Sequence, residues 1–478
     1  MSELHDLTAV EQVRAVRARR VSPVELVEHY LDRIDRYDGD LAAFVTLTPD
    51  SARAAAREAE RRVISDDPEE LPMLHGVPIA FKDLTVTAGV RTMFGSAALA
   101  DNIPPYDADV VTLLREAGVI SLGKTATSEL GISISCEPDI APPTRNPWRR
   151  DLIAGGSSGG AAVAVATGFV PFAQGSDGGG SLRVPAALCG LVALKPTRGL
   201  VSHGPLHSGM FGMPINGPIA RTVADAAALL DAMAVPMPGE PYFSPPPPPS
   251  GSYLAELGRP LQRADGRRLR VGMHAQPLLA ECSVDPEVLR VWEHTGKLLE
   301  SLGCDVFDVP APFDPSLGPA FQQVFGVLAA MPIPAEKEKL LQPLTRYVRE
   351  QAAPISAVGV LGILSQLQNA ARAAMRALVD VDLVLTPTLA AVSAPIGYFT
   401  EGGDPAVHLE RQRRFSPFCA PYNLTGQPAV SLPLGATRDG LPIGVMLAAQ
   451  PGQDATLLAV AAALEQASPW ADRHPPAW

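Results

Sequence analysis

Apolar positions recur at helical spacing in Val24, Leu26, Val27, Tyr30, Leu31 and Ile34, directly behind Ser22-Pro23-Val24-Glu25. That start joins a capping box to a proline at the first helical position, so a helix is predicted to open at Pro23. A second helix, rich in Ala, Arg and Glu, is predicted over 51–63, and both read as packing elements. From His75 the period changes. His75-Gly76-Val77-Pro78-Ile79-Ala80-Phe81-Lys82-Asp83 reads as a short apolar strand ending on a charge. A striped helix over 109–117, a strand over 119–122 and a loop over 123–125 come next.

Small apolar residues over 161–167 suit a helix buried closely against a sheet, and 170–173 reads as a buried strand. A loop over 177–181 leads into a helix over 182–188, a strand over 192–195 and an alanine-rich helix from Arg221 to about 233. The stretch 236–249 ends in five prolines and predicts a stiff surface connection. Beyond it come a strand (269–273), a helix (286–302), a strand (305–309) and further helices. Buried strands are predicted over 381–387, 429–434 and 443–448, and a closing amphipathic helix over 454–467. Strands alternating with helices, without any repeat, favour an α/β sheet with helices on both faces.

Composition narrows the partners. The 478 residues are 46% hydrophobic and 19% charged, enough to bury a large core. A formal net charge of -12 argues against non-specific binding to nucleic acid or to an anionic membrane, which needs clustered Lys and Arg. Cys136, Cys189, Cys282, Cys304 and Cys419 are scattered and never in C-x-x-C spacing, so neither a disulfide framework nor a metal site is expected. The start lacks the apolar segment of a secretory signal, and the longest apolar run, 161–173, is too short to span a bilayer. The expectation is a cytoplasmic protein.

The chemistry concentrates in two glycine-rich loops. Gly155, Gly156, Gly159 and Gly160 surround Ser157 and Ser158, while Gly178, Gly179 and Gly180 lead into Ser181. Glycine clusters bring backbone N–H groups close to a ligand, so a serine at the end of such a loop can face a ring of donors. Acyl transfer needs a nucleophile, a base and oxyanion donors, of which Ser181 and Gly178–Ser181 supply two. The base stays open on these grounds. His203 and His207 lie in a Gly/Pro/Ser-rich loop, His75 precedes the Lys82 strand, and Lys82 can serve if burial keeps it neutral. Ser121 and Lys124 match S-x-x-K but fall in a β-like run. Ser158 fits G-x-S-x-G without the strand that should precede such an elbow.

Gly155-Gly156-Ser157-Ser158-Gly159-Gly160, then Asp177-Gly178-Gly179-Gly180-Ser181-Leu182-Arg183-Val184-Pro185, resemble the amidase signature family. So do Cys189-Gly190-Leu191, G-V-P-I-A-F-K-D-L around Lys82, G-K-T-A-T-S-E-L over 123–130, N-L-T-G-Q-P-A over 423–429 and G-L-P-I-G-V over 440–445. The match spans roughly 20–235 and 380–470. The resemblance implies a large central mixed β-sheet flanked by helices on both faces. It divides the chain into an N-terminal helical region (1–70), a catalytic core (71–235), a variable substrate-side region (236–380) and the C-terminal part of the core (381–478). It also implies a triad: Ser181 the nucleophile, Ser157 the bridging serine after a cis peptide, Lys82 the base. Gly178, Gly179, Gly180 and Ser181 then form the oxyanion hole, with Ser158, Asp177 and Arg183 supporting. No metal or cofactor is called for. Ala161, where many members carry a further serine, and Gly178, where a bulkier residue is common, are departures.

The function so implied is hydrolysis of a neutral, fairly hydrophobic small-molecule amide, whether aryl, cyclic or oligomeric. Esters, anilides and carbamates are further candidates, and a homodimer is the expected assembly. The alternative is the A subunit of a glutamine-dependent tRNA amidotransferase, which Glu129 fits equally and the proline-rich 236–380 region fits poorly. A catalytically dead scaffold is disfavoured because all three triad positions are filled. Met210, Phe211, Met213, Phe321, Phe325 and Met331 are candidates for an apolar pocket.

Overall fold

Alternate residues of the central strands belong to two separate apolar cores. Ile79 and Phe81, Phe172, and Val192 and Leu194 pack into one; Ala80, Ala173 and Ala193 pack into the other. Period-two alternation with both faces apolar is the mark of a sheet covered on both sides. The computed structural model describes residues 3–205 and 210–478, Met210 by its backbone alone; His207 and the Met210 side chain lie outside what is described.

Eleven strands form one mixed sheet: β1 (Phe44–Leu47), β2 (Pro78–Lys82), β3 (Ile120–Thr125), β4 (Phe172–Asp177), β5 (Val192–Lys195), β6 (Ile215–Ala220), β7 (Arg270–Met273), β8 (Asp305–Asp308), β9 (Leu383–Pro387), β10 (Ala429–Ala436) and β11 (Pro442–Ala449). Their order is β1-β3-β2-β4-β6-β5-β10-β11-β9-β7-β8. β2 runs parallel to β3 and β4, and β7 parallel to β8 and β9, while the remaining pairs are antiparallel. The sheet thus draws strands from all four segments of the chain.

The helices are α1 (Ala9–Arg17), α2 (Pro23–Leu41), α3 (Pro49–Ser65), α4 (Asp109–Glu116), α5 (Gly159–Ala166), α6 (Arg183–Cys189), α7 (Val223–Met233), α8 (Pro286–Ser301), α9 (Gly318–Leu328), α10 (Pro343–Ala352), α11 (Ala357–Ala377), α12 (Pro405–Phe415), α13 (Ala420–Thr425) and α14 (Asp454–Ala467). α2 opens as predicted, with both hydrogen bonds of the Ser22–Glu25 capping box in place. α5 is buried over its whole length, which its Gly, Ala and Val composition permits.

The sequence reading is corrected at four points. The loop expected at 123–125 is the end of β3, and the loop expected to begin at Asp177 starts one residue later, because β4 runs through Asp177. β1 and β6 are strands that periodicity missed. β6, Ile-Asn-Gly-Pro-Ile-Ala, carries a glycine and a proline yet pairs along its length with β4. α14 is less amphipathic than expected, with nine of its residues buried.

Candidate active site

β2 and β4 are parallel neighbours with Ala80 opposite Ala173 and Phe81 opposite Gln174. This register carries Lys82, the last residue of β2, to the same edge as Ser176 and Asp177 at the end of β4. The carboxyl ends of parallel strands are where α/β folds place ligands. Lys82 Nζ lies 2.7 Å from Ser157 Oγ, 3.1 Å from Ser176 Oγ and 3.3 Å from Ser176 O. The Lys82 side chain has no exposed surface, and burial pulls its ammonium down from the usual lysine range to about 7.

Ser157 follows a cis Gly156–Ser157 peptide in the loop that runs into α5. Its neighbour Ser158 ties this loop to the second one: Ser158 N–H donates to Ser181 O at 3.2 Å, and Ser158 Oγ donates to Ser176 O at 3.1 Å. Ser181 is part-exposed into a cavity, and its Oγ has no hydrogen-bond partner among the described residues.

Asp177 and Arg183, both fully buried, shape the Ser181 loop. Arg183 Nε donates to Asp177 Oδ2 and Nη2 to Oδ1, each at 2.9 Å. The same carboxylate accepts the Gly180 N–H at 2.6 Å and the Leu182 N–H at 3.2 Å. Burial alone would raise the Asp177 pKa, but the Arg183 charge and the hydrogen bonds of Arg183 and Asn423 outweigh it and hold the carboxyl well below its usual range. The Gly180 N–H expected in the oxyanion hole is therefore already donated. Among the described residues, the N–H groups of Gly178, Gly179 and Ser181 have no acceptor and are free to serve one.

Asn423 was legible only as part of a motif; its Nδ2 donates to Asp177 O and Oδ1 and to Met213 O, bracing the loop from 246 residues away. Glu129, 2% exposed, accepts from Ser96 Oγ at 2.6 Å and from the Gln342 N–H at 2.7 Å. It thereby fastens the start of α10 to the core.

The cavity beyond Ser181 is lined by Gly179, Ile132, Phe321, Phe325, Val348 and Leu409, among others. Phe321 and Phe325 are thus brought to the site, whereas Met213 is buried, Phe211 packs against the same apolar cluster and Met331 does not line the cavity. His75 is engaged with Ala59 O at 2.9 Å and does not reach the serines, and Ser121 and Lys124 sit inside β3. All five cysteines are free. Among the described residues, Glu3, His5 and His29 bring three ligand atoms within 4.8 Å of one another, away from the cavity lining. No helix among the described residues is long and apolar enough to cross a membrane.

The family model described as Amidase matches residues 25–458. Over 480 residues the chain is 35% identical to the acylamidase of Rhodococcus erythropolis, covering 99% of this chain and 98% of that one. It is 34% identical over 505 residues to the A subunit of the glutamyl-tRNA(Gln) amidotransferase of Moorella thermoacetica, covering 99% of each. The solved structure of a 6-aminohexanoate cyclic dimer hydrolase complexed with substrate is similar with a TM-score of 0.87 and 30% identity, over 99% of this chain and 100% of that one. With its mixed sheet and this match along nearly the whole chain, the protein belongs to the amidase family of amide hydrolases.

Proposed function

We propose that the protein hydrolyses the C–N bond of a neutral, fairly hydrophobic amide through an acyl-enzyme on Ser181. The observation that carries this is the contact of Lys82 Nζ with Ser157 Oγ, 2.7 Å apart and both buried, beside a loop whose serine faces an apolar cavity. Neutral Lys82 takes the Ser157 proton while Ser157 takes that of Ser181, and Ser181 Oγ attacks the amide carbonyl carbon. The N–H groups of Gly178, Gly179 and Ser181 receive the oxyanion. The proton then returns through Ser157 to the leaving nitrogen as the C–N bond breaks. Water, deprotonated by the same relay, releases the acid.

Phe321 and Phe325 on the wall favour an aryl, cyclic or oligomeric amide, as do relatives named for acylamide and cyclic-dimer hydrolysis. Esters, anilides and carbamates fit the same relay. A cytoplasmic setting, a homodimer and independence from nucleic acid belong to the same proposal. The test is intact-mass spectrometry after treatment with a fluorophosphonate. One adduct on Ser181, absent in Ser181→Ala and Lys82→Ala, is expected. An adduct that survives Ser181→Ala and maps to Ser158 would overturn the assignment, and copurification with a second protein chain would favour the amidotransferase alternative.

A further inference from the structure

We propose that Gln412 and Arg413 form a second recognition point in the cavity, taking a neutral carbonyl oxygen that the substrate carries beyond its scissile amide; this rests on the hydrolase function proposed above. Both residues lie on α12 and line the cavity that contains Ser181 and Gly179. Gln412 is 7% exposed, and its Oε1 accepts the Ile134 N–H at 2.9 Å. Because a backbone N–H can only donate, that bond fixes which way the amide faces, and Nε2 is left buried with no partner. Arg413 Nε is likewise buried without a partner, although Arg413 Nη2 pairs with Glu410.

Buried donors are almost always satisfied in folded proteins; two residues of this cavity wall each carry one that is not, and an acceptor arriving with the ligand would match them. A neutral acceptor suits them better than a carboxylate. Glu410 already meets the Arg413 charge, and the adjacent Arg414 is 60% exposed to solvent. Apart from Gln322, the other walls, formed by Ile132, Ile134, Leu279, Phe321, Phe325 and Val348, are apolar. The substrate described by these walls is an apolar chain or ring interrupted by a further carbonyl.

The test uses straight-chain acyl 4-nitroanilides in which one carbonyl replaces a methylene at successive positions. With the wild-type enzyme, one position is expected to raise kcat/KM roughly tenfold over the all-methylene parent, mainly through KM. Gln412→Glu keeps an acceptor for the Ile134 N–H but removes the donor, and is expected to bring that ratio to about one or below. Arg413→Met is expected to reduce it as well. A wild-type ratio near one at every position overturns the inference, as does a gain that survives both substitutions. A carboxylate-ended chain that outperforms every keto chain would also overturn it. If the wild type neither turns over the parent anilide nor labels on Ser181, the hydrolase function itself fails, which is a separate result.

Discussion

Asp177 and Arg183 meet nitrogen to oxygen twice, at 2.9 Å each, and neither side chain exposes any surface. Because the same carboxylate holds the N–H groups of Gly180 and Leu182, the pair sets the curvature of the loop that presents Ser181. Removing one member leaves a buried charge unpaired. Arg183→Met is expected to lower stability by about 3–5 kcal/mol in denaturant unfolding and to abolish fluorophosphonate labelling of Ser181. Labelling at the wild-type rate in this variant would show that the pair does not position the serine.

The Lys82 amine, brought to about 7 by burial, fixes the pH dependence. Only the neutral amine accepts a proton, so kcat/KM for an uncharged anilide is expected to rise with pH through about 7 and level off above it. A profile already flat at pH 6 would exclude Lys82 as the base. Lys82→Met is expected to lose roughly a hundredfold to ten-thousandfold in rate. The stability term has the same direction. Between about 7 and the ordinary lysine value of 10.5 the unfolded chain holds a proton that folded Lys82 does not, so this residue makes stability rise with pH across that window.

Two adjacent glycines in the Ser181 loop should respond differently to a methyl group. At Gly178 a Cβ would meet nothing nearer than Pro214 Cγ at 3.8 Å, whereas at Gly179 it would fall 2.7 Å from Phe325 Cζ. Gly178→Ala is expected to leave KM for a bulky anilide within about twofold, while Gly179→Ala displaces Phe325 and raises it severalfold. Steady-state kinetics on small and bulky acyl anilides checks both, and equal effects of the two variants would count against Phe325 as a wall of the acyl site.

Glu129 is the fastening between the core and α10, which contributes Val348 to the cavity. Glu129→Ala leaves two donors without their acceptor and is expected to cost about 1–3 kcal/mol, with easier proteolysis over 335–352. Glu129→Gln retains one carbonyl oxygen and should recover part of that loss. Unchanged proteolysis in the alanine variant would mean that α10 is held by other contacts.

Much of the candidate site was legible because its parts are local. Lys82 ends an apolar strand, and Ser157 and Ser181 sit in glycine-rich loops whose composition announces close backbone approach. That the sheet is covered on both faces was legible too, through the alternation of strands with helices. What escaped is non-local. β6 reads as a loop because its Gly217 and Pro218 are strand-breaking in isolation, and only pairing with β4 and β5 makes it a strand. Gln412 and Arg413 lie on a helix of mostly polar residues, where a partnerless donor looks like any solvated side chain until the cavity is seen. Nor does any sequence pattern tell that the Asp177 carboxylate accepts the Gly180 N–H, which leaves three of the four expected oxyanion donors without an acceptor.

The proposed reacting groups stand on β2 and the two glycine loops, whereas half of the residues lining the cavity come from α9, α10 and α12, later in the chain. Descent and engineering can therefore act on the two halves at different tempos. In the proposed relay Lys82 and Ser157 are buried against their neighbours and leave little room for change, while the opposite wall can be redrawn residue by residue to admit a new acyl group. A library confined to the wall positions of α9, α10 and α12 would sample new substrates without reopening the chemistry.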